Sequence, residues 1–292
     1  MRVGMAEGLE SKKLPSSLLA TAAGWAQALC RALVCFWSNQ YAWLLGVPCL
    51  RRAYHLWLAA VVIFGPLLQF YVNPRAIFAN HHNFFNIKFV RSAWGWTCIF
   101  LGGFMLLVVY LATRKILLTI RHLARLAVGA GLWLGATETF LLIENLTGYC
   151  FDPVPEGILV NNLPDKWTCL HKGHQWHGYD VSGHTFLLTF CCLLMVEETS
   201  VFRRYLAQGH PAGVPLRLIF LLNVVLLALW NFLLACTVVY LYEYSHKVVG
   251  AAIATLCWYL TYRVWYRCQW SPGRPGTGLF LKGAPGEAKK RN

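Results

Sequence analysis

Ser182, Gly183 and His184 stand at the start of a long apolar run, and their types and order suit the binding of an anion. A serine in front of a helix can accept a hydrogen bond from an amide of the first turn, and this cap needs no enzyme to explain it. Glycine lets a ligand approach the backbone, where first-turn amides attract negative charge. His184 would then be an imidazole beside a bound phosphate, or an ordinary interfacial side chain, and the motif leaves both alternatives open.

Other basic and imidazole side chains are expected at the same face. His246 and Lys247 lie in the short connection between the last two apolar runs, and Arg91 lies in the 73–93 connection. Two histidines and an arginine suit phosphoryl transfer, in which one imidazole attacks phosphorus, another protonates the leaving oxygen and a cation holds the oxygens. The pattern therefore predicts a phosphate site at one face of a membrane.

The elements that must position these residues are membrane helices. The chain is 57% hydrophobic and 13% charged, with a mean hydropathy of +0.47. Runs of about 20 apolar residues span a bilayer as helices. We predict an all-α polytopic bundle of six transmembrane helices, at 55–72, 94–113, 126–146, 183–201, 216–241 and 248–266.

Three regions are predicted along the chain. Residues 1–53 form a cytosolic N-terminus whose apolar run, at 17–37, is interpreted as an interfacial or re-entrant helix because Gln27 and Arg31 interrupt it. Residues 54–269 form the transmembrane domain, and residues 270–292 form a disordered basic tail rich in Gly and Pro.

Positive charge predicts the orientation. With both termini in the cytosol, 20 of the 26 basic residues fall on the cytosolic side. This coat faces anionic lipid, so the net charge of +14 gives no reason to expect nucleic acid. Glu197 and Glu198 are expected to be solvated at the cytosolic end of their helix, beside Arg203 and Arg204.

Two cysteines differ from the other nine because they flank the loop at 147–183. Cys150 and Cys169 are either a disulfide or two free thiols. In the same loop, His171, His174 and His177 with Cys169 could ligate zinc, but no second pair of ligands is evident, so a solvated loop is favoured and no metal site is predicted. A serine hydrolase built on Ser182 is disfavoured because no strand is predicted before it.

Five segments carry a specific resemblance between about Tyr54 and Gly273. They are "WHGYDVSGHTFLLTFCCLLMVEE", "NFFNIKFVRSAWGWT", "HKVVGA" with "WYLTY", and "SPG". The chain resembles the fat storage-inducing transmembrane family of the endoplasmic reticulum. The resemblance implies a six-span protein whose core is similar to lipid phosphate phosphatases and which binds diacylglycerol and triacylglycerol and promotes lipid droplet formation. It also implies a lumenal fatty acyl-CoA diphosphatase that needs no cofactor and releases acyl phosphopantetheine and adenosine 3',5'-bisphosphate.

The resemblance assigns roles to individual residues. The family's Ser-Gly-His motif falls on Ser182, Gly183 and His184, and its basic residue falls on Arg91, a phosphate clamp. The family's second catalytic histidine falls on Tyr242, and a phenol with a pKa near 10 is a poor nucleophile at neutral pH.

His246 lies four residues after Tyr242, one helical turn away, and is the candidate replacement. The resulting expectation is a lipid droplet protein with weak or altered diphosphatase activity. The alternative is a non-catalytic membrane scaffold that recruits partners. Lys289 and Lys290 near the C-terminus resemble a dilysine retrieval signal, or form a solvated charge cluster.

Overall fold

The computed structural model describes residues 16–72, 83–152, 158–159, 165–241 and 243–280. Its helices are α1 (Ser16–Gly46), α2 (Pro48–Phe64), α3 (Ala93–Thr113), α4 (Ile116–Thr147), α5 (Lys166–His171), α6 (Gly183–Thr199), α7 (Val201–Ala207), α8 (Val214–Tyr240) and α9 (Tyr244–Trp258). A 3₁₀ turn at Gly65–Phe70 extends α2, and a π-helix at Asn86–Val90 precedes α3. A π turn at Tyr259–Val264 and a 3₁₀ turn at Trp265–Arg267 extend α9.

Six helical segments of the described chain are long and apolar enough to cross a membrane. They are Pro48–Phe70, Ala93–Thr113, Ile116–Thr147, Gly183–Ala207, Val214–Tyr240 and Tyr244–Arg267. The predicted all-α, six-span architecture is confirmed. The first span begins at Pro48 rather than in the middle of the 50s because proline at the first helical position starts α2 there.

Helix α6 is the centre of the bundle. All of its residues from Thr185 to Thr199 are buried, and for the apolar part up to Val196 this is expected of a helix that is apolar on every side. Trp94 of α3 stacks on Phe190 at 6.0 Å between ring centroids, and Phe140 of α4 meets Phe186 edge to face at 5.4 Å. Helices α8 and α9 enclose its other sides. Rigid packing therefore fixes the end of α6 that carries His184.

Helix α1 packs on the bundle through its second half. Val34, Ser38 and Ala42, spaced four residues apart, are buried. Arg217 of α8 donates to Ser38 Oγ at 2.6 Å and to Asn39 Oδ1 at 2.7 Å. Residues 23–33 are exposed, and α1 is not among the six candidate spans. The expectation that the 17–37 run is interfacial or re-entrant stays a prediction.

The loop between α4 and α6 contains a small antiparallel sheet of order β2-β1-β3. Its strands are β1 (Tyr149–Asp152), β2 (Ile158–Leu159) and β3 (Gln175–His177). The expectation that no strand precedes Ser182 was therefore wrong. Strands of two to four residues leave almost no alternating pattern in the sequence, so the sequence did not reveal them. β3 ends five residues before Ser182 and does not turn directly into α6 as a nucleophile elbow requires.

The C-terminal segment from Ser271 to Phe280 packs on the bundle, so the expected disorder from residue 270 onward was wrong for this part. Ser271 and Leu279 are buried, and Arg121 of α4 donates to the Ser271 carbonyl at 2.8 Å. Glycines at positive φ, such as Gly273 at 83°, let the segment turn without strain. The rest of the predicted tail, with Lys289 and Lys290, lies outside the described residues.

Candidate functional site

Ser182 caps α6 as its residue type suggests. Its Oγ accepts a hydrogen bond from the Thr185 amide at 3.3 Å and shares one with Thr185 Oγ1 at 2.8 Å. The side chain is fully buried. Gly183 is exposed, and a Cβ added there would meet no atom within 4 Å. Space for a ligand therefore lies directly in front of first-turn amides, where the helix dipole favours an anion.

His246 lies beside this helix start. The Ser182 amide donates to the His246 carbonyl at 3.2 Å, and the His246 ring contacts Tyr179 edge to face at 4.5 Å. Its Nε2 lies 3.9 Å from a carboxylate oxygen of Glu243, which is 74% exposed, so water screens that pair. Two histidine-bearing helices thus begin side by side, with half-buried His184 in the first turn of α6.

Gly250 makes this close approach of α6 and α9 feasible. A Cβ at residue 250 would lie 2.6 Å from the Ser182 carbonyl oxygen, so any side chain would separate the two helices. Lys247, which sequence reasoning grouped with His246, is buried and donates from Nζ to the Val238 carbonyl at 2.7 Å. Lys247 therefore ties α9 to the end of α8 and does not face the ligand space.

Arg91 lies at the same end of the bundle, three residues before Trp94 on α3. It is exposed and, within the described ranges, makes no hydrogen bond or ion pair. The structure thus leaves its guanidinium available at this end without joining it to His184 or His246. Tyr242 lies outside the described residues.

The loop between α4 and α6 lies next to this site. Cys150 and Cys169 form a disulfide, so Cys169 is not a metal ligand. Asp165 caps α5 by accepting hydrogen bonds from the Thr168 hydroxyl and amide, which lower the pKa of its carboxyl group. Within the part of the chain that the structure describes, no three His, Cys, Asp or Glu side chains are grouped to bind a metal ion.

We call the end of the bundle with Ser182, His184 and His246 the histidine end. At the opposite end, Glu198 is buried and forms a bidentate pair with Arg125 at 2.6 and 2.7 Å. Tyr262 donates to the same carboxylate at 2.7 Å. Glu197 accepts from Arg263 at 2.9 Å and from Arg51 at 3.3 Å.

The expectation of solvated glutamates beside Arg203 and Arg204 was therefore wrong. The arginines that pair with them come from α2, α4 and the extension of α9, and sequence distance cannot reveal those contacts.

Comparison with known proteins identifies the family. A model described as "Fat storage-inducing transmembrane protein" matches residues 74–216. The human protein named "Fat storage-inducing transmembrane protein 1" is 68% identical over 89% of this chain and 89% of its own length. The chain belongs to the fat storage-inducing transmembrane family. The zebrafish relative of that name is 43% identical over 82% of this chain and 88% of its own length.

A more distant relative carries a different name. "Acyl-coenzyme A diphosphatase FITM2" of Xenopus tropicalis is 36% identical over 80% of this chain and 90% of its own length. No solved structure matches the chain, so the expected likeness of its core to lipid phosphate phosphatases stays a prediction.

Sequence reasoning missed two features of the site. Gly250 sets the distance between α6 and α9, and its only sequence signal is a small residue four positions after His246. Tyr179 contacts the His246 ring, and an aromatic residue in a loop gives no signal of that contact.

Proposed function

We propose that this chain is a multi-pass protein of the endoplasmic reticulum that promotes lipid droplet formation by binding and partitioning diacylglycerol and triacylglycerol. The observation that carries the proposal is its 68% identity, over 89% of the chain, to a protein named for inducing fat storage. The bundle supports it because the faces of α2 and α9 carry exposed apolar side chains, including Leu56, Phe64 and Leu256, that suit contact with acyl chains.

The proposal includes an orientation. Arg51, Arg121 and Arg263 lie at the end opposite His184, together with other arginines of α4 and α7. Because basic residues favour the cytosolic side, we propose that the histidine end faces the lumen and that both termini lie in the cytosol.

Lipid binding is tested with the purified chain in detergent and radiolabelled triolein or diolein. The control is the same chain with the residues of α8 scrambled at constant composition. We expect saturable binding of both lipids by the parent alone. Equal retention of lipid by the scrambled chain would contradict the proposal.

The second proposed activity is hydrolysis of the phosphoanhydride of fatty acyl-CoA. The observation that favours it is the joint start of α6 and α9, which brings an anion-attracting helix terminus, His184 and His246 to one end. A relative 36% identical is named for this reaction.

Each residue of the site has a proposed role in this reaction. The imidazole of His246 attacks one phosphorus and breaks its bond to the bridging oxygen, and that oxygen leaves on the other phosphate with a proton from His184. Water then cleaves the phosphorus–nitrogen bond and returns a proton to His184. Arg91 and the amides of the first turn of α6 hold the phosphate oxygens.

Hydrolysis of oleoyl-CoA by the purified protein tests these roles. His184→Ala and His246→Ala are each expected to lower the rate by at least 100-fold, the usual order for a lost acid or nucleophile. Tyr242→His restores the histidine of the family pattern. If it alone gains activity while the parent is inactive, His246 does not replace the family's second histidine.

A non-catalytic scaffold is the alternative function, and the tyrosine at position 242 is the observation that favours it. In that case droplet formation would persist in cells that carry His184→Ala in place of the parent. Loss of droplets with that variant would exclude the scaffold.

A further inference from the structure

A groove outside the histidine site runs along the bundle toward the opposite end. It holds about 510 Å³, within the range of ligand-binding clefts. Helix α6 forms its floor, and α2 and α9 form its walls. Its rims, which include Ile63 and Leu256, are exposed. The groove is therefore open to the surrounding hydrocarbon, and its apolar lining suits an acyl chain.

Three polar atoms in this groove are unusual. Thr189 Oγ1, His55 Nε2 and Trp258 Nε1 are buried and have no hydrogen-bond partner among the described residues. Thr189 is 1% exposed and Trp258 is 6% exposed. Leaving a buried polar atom without a partner is unfavourable, and hydrocarbon offers it no water. The lining of the groove therefore includes residues that carry hydrogen-bonding groups as well as apolar side chains.

A second cavity of about 540 Å³ continues the groove, and His55, Trp258 and Tyr259 line both spaces. Arg263 and Arg267 line this second part. Arg263 stacks over the Trp258 ring at 5.1 Å, and the His55 ring lies 4.5 Å from the same indole. The lining thus changes from apolar side chains in the groove to cationic side chains in the second cavity.

The charged side chains around this second cavity carry a net positive charge. Arg51 and Arg263 share the single carboxylate of Glu197, and Arg267 has no ion pair with any residue that the structure describes. Of the two arginines that line the cavity, Arg263 shares its carboxylate partner and Arg267 has none among the described residues, so an excess of positive charge faces the opening. Phosphate oxygens suit guanidinium geometry.

The spacing between Trp258 and the arginines fits a phospholipid. The Arg263 guanidinium lies 5.1 Å from the centroid of the Trp258 ring. The polar layer of one leaflet is roughly 5–7 Å thick. A phosphate at the arginines thus places the glycerol and its ester groups next to Trp258 and His55, which line both spaces.

We infer that this groove binds an anionic glycerophospholipid. Its phosphate lies on Arg263 and Arg267, its ester groups lie against Trp258 and His55, and one acyl chain lies between α2 and α9. The site is separate from the histidine end and does not depend on lipid droplet or diphosphatase function.

The full-length chain in phosphatidylcholine nanodiscs tests the site with lipids that carry a photoactivatable diazirine in one acyl chain. The three probes have phosphatidate, phosphatidylcholine or diacylglycerol headgroups, and mass spectrometry measures labelling of the α2 and α9 peptides. One charge-assisted hydrogen bond corresponds to about tenfold in affinity, so we expect phosphatidate to label about tenfold more than phosphatidylcholine.

Three variants complete the test. Arg267→Gln is expected to reduce the preference for phosphatidate to near unity. Arg52→Gln is the matched control at the same end, because Arg52 is exposed and lines neither cavity. Ala252→Trp, on the exposed rim of the groove, is expected to abolish labelling by all three probes.

Equal labelling by phosphatidate and phosphatidylcholine would overturn the inference, as would stronger labelling by diacylglycerol. Labelling that survives in a folded Ala252→Trp variant would do the same. If Ala252→Trp does not fold, judged by size-exclusion chromatography, Arg267→Gln decides. A phosphatidate preference that persists in Arg267→Gln rejects the headgroup site.

Discussion

At Gly250, an added methyl group would lie 2.6 Å from the Ser182 carbonyl oxygen. Gly250→Ala must therefore move α9 away from α6 and weaken the hydrogen bond between the Ser182 amide and the His246 carbonyl. We expect a loss of about 1–3 kcal/mol in the free energy of unfolding, the usual cost of overpacking. Urea unfolding in detergent measures it.

Gly131→Ala is the matched control for Gly250→Ala. Gly131 lies inside α4, and a Cβ there would meet no atom within 4 Å. Alanine favours helix over glycine by about 0.5–1 kcal/mol, so this variant should be neutral or more stable. Equal effects of the two substitutions would show that contact with Ser182 does not limit residue 250.

Loss of the Glu198 charge should destabilise the chain strongly. Its carboxylate accepts from Arg125 and Tyr262, and all three side chains are buried. Glu198→Gln leaves the Arg125 guanidinium buried without its counter-charge, which typically costs 3–5 kcal/mol. A fall in the thermal unfolding midpoint checks this, and Glu138→Gln, an exposed glutamate on α4, should leave the midpoint unchanged. An unchanged midpoint for Glu198→Gln would mean that water reaches Arg125.

Among the elements, the loop from Tyr149 to His177 depends most on a covalent link. Its strands have two to four residues, too few to be stable alone. The Cys150–Cys169 disulfide closes a short loop, and such a link contributes about 3 kcal/mol. Cys150→Ser with Cys169→Ser should speed limited proteolysis of this loop while the six spans resist. Cys30→Ser with Cys49→Ser, which replaces two exposed free thiols, is the control, and equal cleavage rates would contradict the expectation.

Spans could be predicted from the sequence, whereas the contacts between them could not. Twenty apolar residues must become a helix in hydrocarbon, so hydropathy alone located α3, α6 and α8. The partners of Glu198 could not be predicted, because Arg125 lies 73 residues away and nearer arginines were available. In the candidate site, too, the helix could be predicted from the sequence and the contact between helices could not. Ser182 was identifiable as a helix cap, but its contact with His246 depends on how α6 and α9 pack.

At the scale of the whole molecule, the proposed function depends on which side of the membrane carries the histidine end. The positive-inside rule predicts the lumen for this end and the cytosol for the opposite end. Two turns allow a matched test, because Lys172-Gly173-His174 and Gln208-Gly209-His210 each have a glycine at positive φ and lie at opposite ends of the bundle.

Glycosylation of engineered sequons shows which end of the bundle lies in the lumen. Lys172→Asn with His174→Thr creates Asn-Gly-Thr between α5 and β3, and Gln208→Asn with His210→Ser creates Asn-Gly-Ser between α7 and α8. N-glycosylation occurs only in the lumen of the secretory pathway, so we expect a glycosidase-sensitive mass shift for the first variant and none for the second. The reverse pattern would place His184 and His246 in the cytosol. A lumenal supply of acyl-CoA would then be unnecessary for the proposed hydrolysis, and the arginine-lined groove would open to the lumenal leaflet.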